Sequence, residues 1–133
     1  MPNSERRKVE SAEAPRAIGP YSPAIRSTAA SYLFISGQIG VDRKTGEFVS
    51  DTVEGQAEQC LRNLLAIVAS AGGSEASVVK TTIYLRRIED FSTVNRVYSD
   101  FFTDPYPARA CIGGCELPKG ALVEIEAIAR LER

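Results

Sequence analysis

The segment Val123-Glu-Ile-Glu-Ala-Ile-Ala-Arg-Leu131 limits the possible folds of this chain more than any other. Side chains of a strand alternate between faces, so Val123, Ile125, Ala127, Ala129 and Leu131 share one side. Leu122, Glu124, Glu126, Ile128 and Arg130 share the other. The first set calls for a helical cover. The second mixes Leu and Ile with two carboxylates, and Tyr32 and Phe34 give an earlier strand a comparable second apolar side. Two helices, all that the rest of the chain provides, cannot cover both sides of a sheet. The uncovered side therefore stays partly apolar in water or is buried against another copy. A homo-oligomer with Glu124 near its seam is the expectation.

Gly19-Pro-Tyr-Ser-Pro23 is stiff turn chemistry before two strand-like runs, 24–28 and 32–39, that read as a hairpin. Asp42-Arg-Lys-Thr-Gly46 reads as a second turn, after which Glu47-Phe-Val49 extends again. Asp51 with Glu54 approximates a capping box. Apolar residues then recur at Ala57, Cys60, Leu61, Leu64, Leu65 and Val68, one helical face that Gly72-Gly73 ends. The β-branched run 78–85 reads as a strand, so the helix forms a β-α-β crossover and implies a parallel pair. Asp90 would cap a second helix with Phe91, Val94, Val97, Tyr98 and Phe101 on its stripe, closed by Asp104-Pro-Tyr-Pro107. Segments 108–113 and 121–131 supply the last strands. The fold class is α+β, a mixed sheet with two helices on one face, in one domain over 14–133 behind a flexible tail, 1–13.

With 133 residues, 44% apolar and 25% charged, the chain has room for one core. Sixteen basic and seventeen acidic residues give a net charge of −1, which disfavours a dedicated nucleic-acid binder. Three cysteines, Cys60, Cys111 and Cys115, are an odd number that argues for a reducing compartment. Without histidine they also fall short of the soft ligands of a structural zinc site, so no metal is expected. There is no apolar run of about eighteen residues to span a membrane. The first fourteen residues lack an apolar centre and carry Glu5, Glu10 and Glu13, poor features for a signal or transit peptide.

Arg109 and Glu124, fifteen residues apart, are the best pair for substrate chemistry. A guanidinium holds a carboxylate through two parallel charged hydrogen bonds, and a partly desolvated Glu takes a proton from water. A small anionic substrate attacked by water follows. The expectation is that the two side chains, on neighbouring strands, converge on one hollow where protomers abut. Structural readings stand beside this one: Arg109 could pair with Glu124 or Glu126 at an interface, and Glu126 reads as structural. Cys111 reads as a small residue contributing its backbone rather than as a nucleophile, and Cys60 as core. Tyr21 could simply pack near its turn, and Ser36-Gly-Gln38 could be a strand bulge.

Gly19-Pro-Tyr-Ser22, Ile35-Ser-Gly-Gln-Ile39, Val79-Lys-Thr-Thr82, Asp90-Phe91 with Val94-Asn95, Pro107-Ala-Arg109, Leu117-Pro-Lys-Gly120 and Val123-Glu-Ile-Glu-Ala-Ile-Ala129 together resemble the RidA (YjgF) family of enamine/imine deaminases. The resemblance implies a chorismate-mutase-like α+β fold and a homotrimer with clefts between subunits. It also implies hydrolysis of 2-imino acids such as 2-iminobutanoate and 2-iminopropanoate to 2-keto acids and ammonia, with no cofactor. Carried over, Arg109 clamps the substrate carboxylate and Glu124 activates water. Backbone groups of Cys111 and Gly37 orient the imine, Tyr21 and Ser36 line the cleft, Phe91 supplies an apolar wall and Asn95 a polar group. The odd cysteine count points to a cytoplasmic setting, with a mitochondrial one left open. Two other functions stand beside imine hydrolysis: a non-catalytic trimer that binds keto acids or other carboxylates, and an RNA-acting translation inhibitor, a reading attached to relatives of the family and opposed here by near-neutral charge, absent histidines and few aromatics beside basic runs. The chain departs from the family pattern in a short 103–106 bridge, in Arg86-Arg87, which would add positive charge near the cleft, and in Gly113-Gly-Cys115.

Overall fold

A computed structural model describes residues 6–27 and 31–132. Among the described residues six strands form one mixed sheet in the order β1-β2-β3-β6-β4-β5. They are β1 (Arg6–Val9), β2 (Ala24–Ser27), β3 (Tyr32–Gln38), β4 (Val78–Leu85), β5 (Ala108–Ile112) and β6 (Val123–Arg130), with helices α1 (Val53–Ser70) and α2 (Phe91–Ser99). Alternation along β6 divides the sheet as anticipated. Val123, Ile125, Ala127 and Ala129 are buried, together with Leu33 and Ile35 of β3 and Ile83 and Leu85 of β4. Against them α1 sets Ala57, Cys60, Leu61, Leu64, Ile67 and Val68, none with measurable exposure. The other side of the sheet is open: Phe34 is 45% exposed, and its ring lies 6.4 Å from that of Tyr32.

Polar side chains of α1 tie the helix to the chain around the site. Asn63, fully buried, donates from Nδ2 to the carbonyls of Ile39 (3.2 Å) and Val41 (3.1 Å). Gln56 donates to the Ser50 carbonyl, and its Oε1 accepts the Leu122 N–H at 2.9 Å. The loop after β3 and the start of β6 are thereby anchored to one helix. Buried polar groups paired in this way fix a register that apolar packing alone would leave loose.

The structure departs from the sequence expectations at several points. The α1 crossover does join strands of the same direction, β3 and β4, but β6 lies between them and is antiparallel to both. The parallel neighbours are β4 and β5, linked through α2. With the most continuous apolar side of any strand, β6 gains most from a central place under α1. Within the stretch expected as a tail, β1 pairs with β2. Arg6-Arg-Lys-Val9 has no apolar alternation, and it is the open edge of β2 that gives it a place. Residues 1–5 and 28–30 lie outside the described residues. Thr52, not Asp51, caps α1 by accepting the Gly55 N–H at 3.1 Å. Asp90 occupies the N-cap position of α2 without a capping bond, since a 3-10 turn, Ile88–Asp90, leads into the helix. The Glu47–Val49 extension is reduced to one bridge, Val41 with Phe48. No helix among the described residues is long and apolar enough to cross a membrane.

Candidate functional site

Strand register decides which way the two candidate residues face. Arg109 of β5 pairs with Thr81 of β4, and Cys111 with Ile83, so both lie on the helix-covered side. Glu124 of β6 pairs with Tyr84, and Glu126 with Thr82, on the open side. Arg109 and Glu124 of one chain thus point to opposite faces, with β4 between their strands. Their convergence within a single chain, expected from the sequence, does not occur.

Each residue instead belongs to its own hollow. Arg109 lines one of about 440 Å³ with Asn95, Tyr98, Tyr106 and Pro107. Its guanidinium carbon lies 4.9 Å from the ring centre of Tyr98 and 5.5 Å from that of Phe91. Cation–π attraction therefore holds the group, whose flat fork suits the ring faces. Among the described residues it makes no ion pair, so its hydrogen-bond donors remain available to an anion. The Tyr98 hydroxyl is 2.8 Å from Thr81 Oγ1, which ties the aromatic support to β4.

Glu124 lines a second hollow, of about 370 Å³, with Ile18, Tyr21, Ser36, Gly37, Ile39, Pro118 and Lys119. Between Ile35 and Gln38 the pairing of β3 with β6 shifts register, so Ser36 and Gly37 form a bulge. The bulge brings Gly37 onto the carboxylate: a Cβ there would lie 2.0 Å from Glu124 Oε2. Only glycine permits that approach. The Ser36 hydroxyl donates to the Ser22 carbonyl and its N–H to the Pro23 carbonyl, so this residue holds the 21–23 turn in place. Tyr21 is 51% exposed, and its hydroxyl accepts a long 3.4 Å bond from the Ile18 N–H.

Burial raises the Glu124 carboxyl above the ordinary glutamate value, and the Glu126 charge raises it further. Glu126 itself accepts the Tyr84 hydroxyl at 3.0 Å, consistent with a structural role. Burial also raises the Cys111 thiol, against a smaller opposing effect of Arg109, so the thiolate is disfavoured. Cys60 is buried and its thiol raised still further by desolvation.

Of the expected site residues, Tyr21, Ser36, Gly37 and Glu124 meet in one hollow, and Asn95 and Arg109 in the other, with Phe91 beside the guanidinium. Cys111 lies two residues beyond Arg109 on the same side of β5. Tyr98, Tyr106, Pro118 and Lys119 were not singled out as site residues from the sequence. Tyr98 was placed on an apolar stripe, and the role of Lys119 depends on a loop conformation that pattern does not reveal. Arg86, expected near the cleft, lines a separate small hollow with Glu116 and Leu117, and Arg87 pairs with Glu89 at 3.7 Å in solvent.

Comparison with known proteins gives a consistent set of similarities. The family model described as Endoribonuclease L-PSP matches residues 11–131. The RutC family protein y4sK of Sinorhizobium fredii is 51% identical over 92% of this chain and 96% of its own length. The human 2-iminobutanoate/2-iminopropanoate deaminase is 47% identical over 93% of this chain and 89% of its own. Among solved structures, RidA from the Antarctic bacterium Psychrobacter sp. PAMC 21119 superposes with a TM-score of 0.89 at 40% identity, covering 95% of this chain and 100% of that one.

Proposed function

The chain belongs to the Endoribonuclease L-PSP family, the RidA (YjgF) family that its motifs resemble, and on that premise we propose that it hydrolyses 2-imino acids to 2-keto acids and ammonia. The observation that carries this reading is the division of the machinery into two incomplete hollows on opposite sides of one sheet. A ring of copies resolves the division. When the open side of one protomer meets the β5–α2 flank of the next, Arg109 of one faces Glu124 of its neighbour, and the exposed Phe34 and Ile112 leave water. A homotrimer with three such clefts is the assembly proposed.

In that cleft Arg109 holds the substrate carboxylate and sets the imine carbon above the neighbour's Glu124. Glu124 accepts a proton from water as the water oxygen bonds to the imine carbon and the C=N π pair moves onto nitrogen. Protonated Glu124 then gives that proton to the carbinolamine nitrogen, takes the hydroxyl proton as the C–N bond breaks, and passes it to the departing ammonia. Net, iminium and water give keto acid and ammonium. A protonated imine is already electrophilic, so positioning and one base are sufficient. Coupling a threonine dehydratase to the protein should speed 2-ketobutyrate release for the wild type, and far less for Arg109→Ala or Glu124→Ala at the same limiting imine concentration. Release no faster than in buffer would refute the activity.

Gly37→Ala is expected to cost about 10²-fold in turnover, because the new methyl displaces the Glu124 carboxylate by an ångström or more. The thermal midpoint should move little, since the displaced atoms end a rotatable side chain. Unimpaired turnover would show that the carboxylate position is not critical.

A further inference from the structure

The Glu124 hollow continues into a second, basic one. This annex, of about 420 Å³, shares Ile18, Tyr21, Gly37, Ile39 and Lys119 with it, so the two form one groove. Its far wall carries Arg16, Arg43 and Lys44, and among the described residues no Asp or Glu lines it. Asp42, on the same turn, accepts the N–H groups of Lys44 and Thr45. None of the four cations belongs to an ion pair among the described residues. Two are steadied by neutral acceptors instead: Arg43 Nε donates to the Ser11 carbonyl and Lys119 Nζ to the Gly46 carbonyl, each at 3.2 Å. Most of their donors are left for an anion. Lys119 sits at the junction with φ 58° and ψ 21°, a left-handed conformation that non-glycine residues seldom adopt. On a chain of net charge −1, a wall of one sign beside the reacting centre selects by charge.

Resting on the hydrolytic reading above, we propose that this annex makes the enzyme selective for 2-imino acids bearing a second, distal carboxylate. With the first carboxylate on the neighbour's Arg109 and the imine carbon at Glu124, a side chain one or two carbons long carries the distal carboxylate to Lys119. Arg16 and Arg43 stand behind it. Arg86-Arg87, expected from the sequence to supply such charge, line neither hollow; Lys119 and Arg16 take that role.

The test compares imines made from aspartate and from asparagine, which match in size and differ in distal charge, each generated by an amino-acid oxidase and followed by competition with semicarbazide trapping. Wild type should prefer the aspartate-derived imine about tenfold in kcat/KM, and Lys119→Asn and Arg16→Gln should each reduce that ratio severalfold. Asn tolerates the left-handed backbone at 119, and Arg16 is exposed, so neither change challenges the fold. A wild-type ratio near one, or a ratio unchanged in both variants, overturns the annex. Hydrolysis of neither imine by a protein that does hydrolyse 2-iminobutanoate overturns the annex; hydrolysis of none of the three refutes the hydrolytic reading, and calorimetry of the keto acids then tests the annex by itself. Oxaloacetate binding more tightly than 2-oxosuccinamate, the asparagine-derived keto acid of matching size, with the difference lost in Lys119→Asn, supports it; equal affinities overturn it.

Discussion

Glu124→Gln is expected to lower kcat by about 10²- to 10⁴-fold, the usual contribution of a positioned general base, while making the folded protein more stable at neutral pH. Both effects have one cause. Burial and the Glu126 charge hold the Glu124 carboxyl above its ordinary value, so the fold favours the protonated form. Folding therefore gains from this group below the unfolded glutamate pKa of about 4.3, and loses that gain as pH rises to the higher folded value. Gln removes the penalty. The variant should exceed wild type in thermal midpoint at pH 7 and match it near pH 4. The groups around Glu124 act in both directions: Glu126 on its own strand raises it, Tyr84 of β4 donates to Glu126 and so partly neutralises that charge, and Lys119 lines the same hollow with opposite sign. The acid limb of wild-type kcat should accordingly lie above the ordinary glutamate range. Full activity in the variant, or a limb at the ordinary value, would remove Glu124 from the chemistry.

Arg109→Ala is expected to reduce kcat/KM by roughly 10- to 150-fold, as loss of a charged hydrogen bond of about 1.5–3 kcal/mol implies. The loss should fall mainly on KM, because the carboxylate is clamped alike in substrate and transition state. Arg109→Lys should recover only part of it. An ammonium keeps the charge but neither the two-pronged geometry nor the flat stacking on Tyr98 and Phe91. Equal activity of the Lys variant would show that charge alone suffices.

Much of this architecture is legible in the residues. The single apolar stripe of α1 ends at Gly72, which has φ +91°, and the β-branched run of β4 was placed correctly at both ends. The alternation of Val123–Arg130 foretold a sheet with one side left open. The facing of Arg109 was not legible. In Ala108-Arg-Ala-Cys-Ile112 both parities hold small or apolar residues, so nothing local distinguishes the helix side from the open one. Only the register against β4 settles it, and register is a property of the whole sheet. The central place of β6 and the recruitment of β1 are likewise decided by competition among strands. The groove cations are not legible for a related reason: Arg16, Arg43 and Lys119 lie far apart in sequence and meet only in the folded chain, where Lys119 bonds the Gly46 carbonyl and Arg43 the Ser11 carbonyl.

Because Arg109 and Glu124 of one chain face opposite ways, mixing two impaired variants and reading kcat/KM is the most direct test of a shared cleft. Arg109→Ala and Glu124→Gln chains, unfolded together and refolded at equal amounts, should recover about a quarter of wild-type activity, since random assembly pairs an intact Arg with a neighbour's intact Glu at one site in four. Refolding each variant alone should give only that variant's residual kcat/KM, about tenfold or more below wild type. A mixture as inactive as its parents, in oligomers shown to contain both chains, would contradict the composite site.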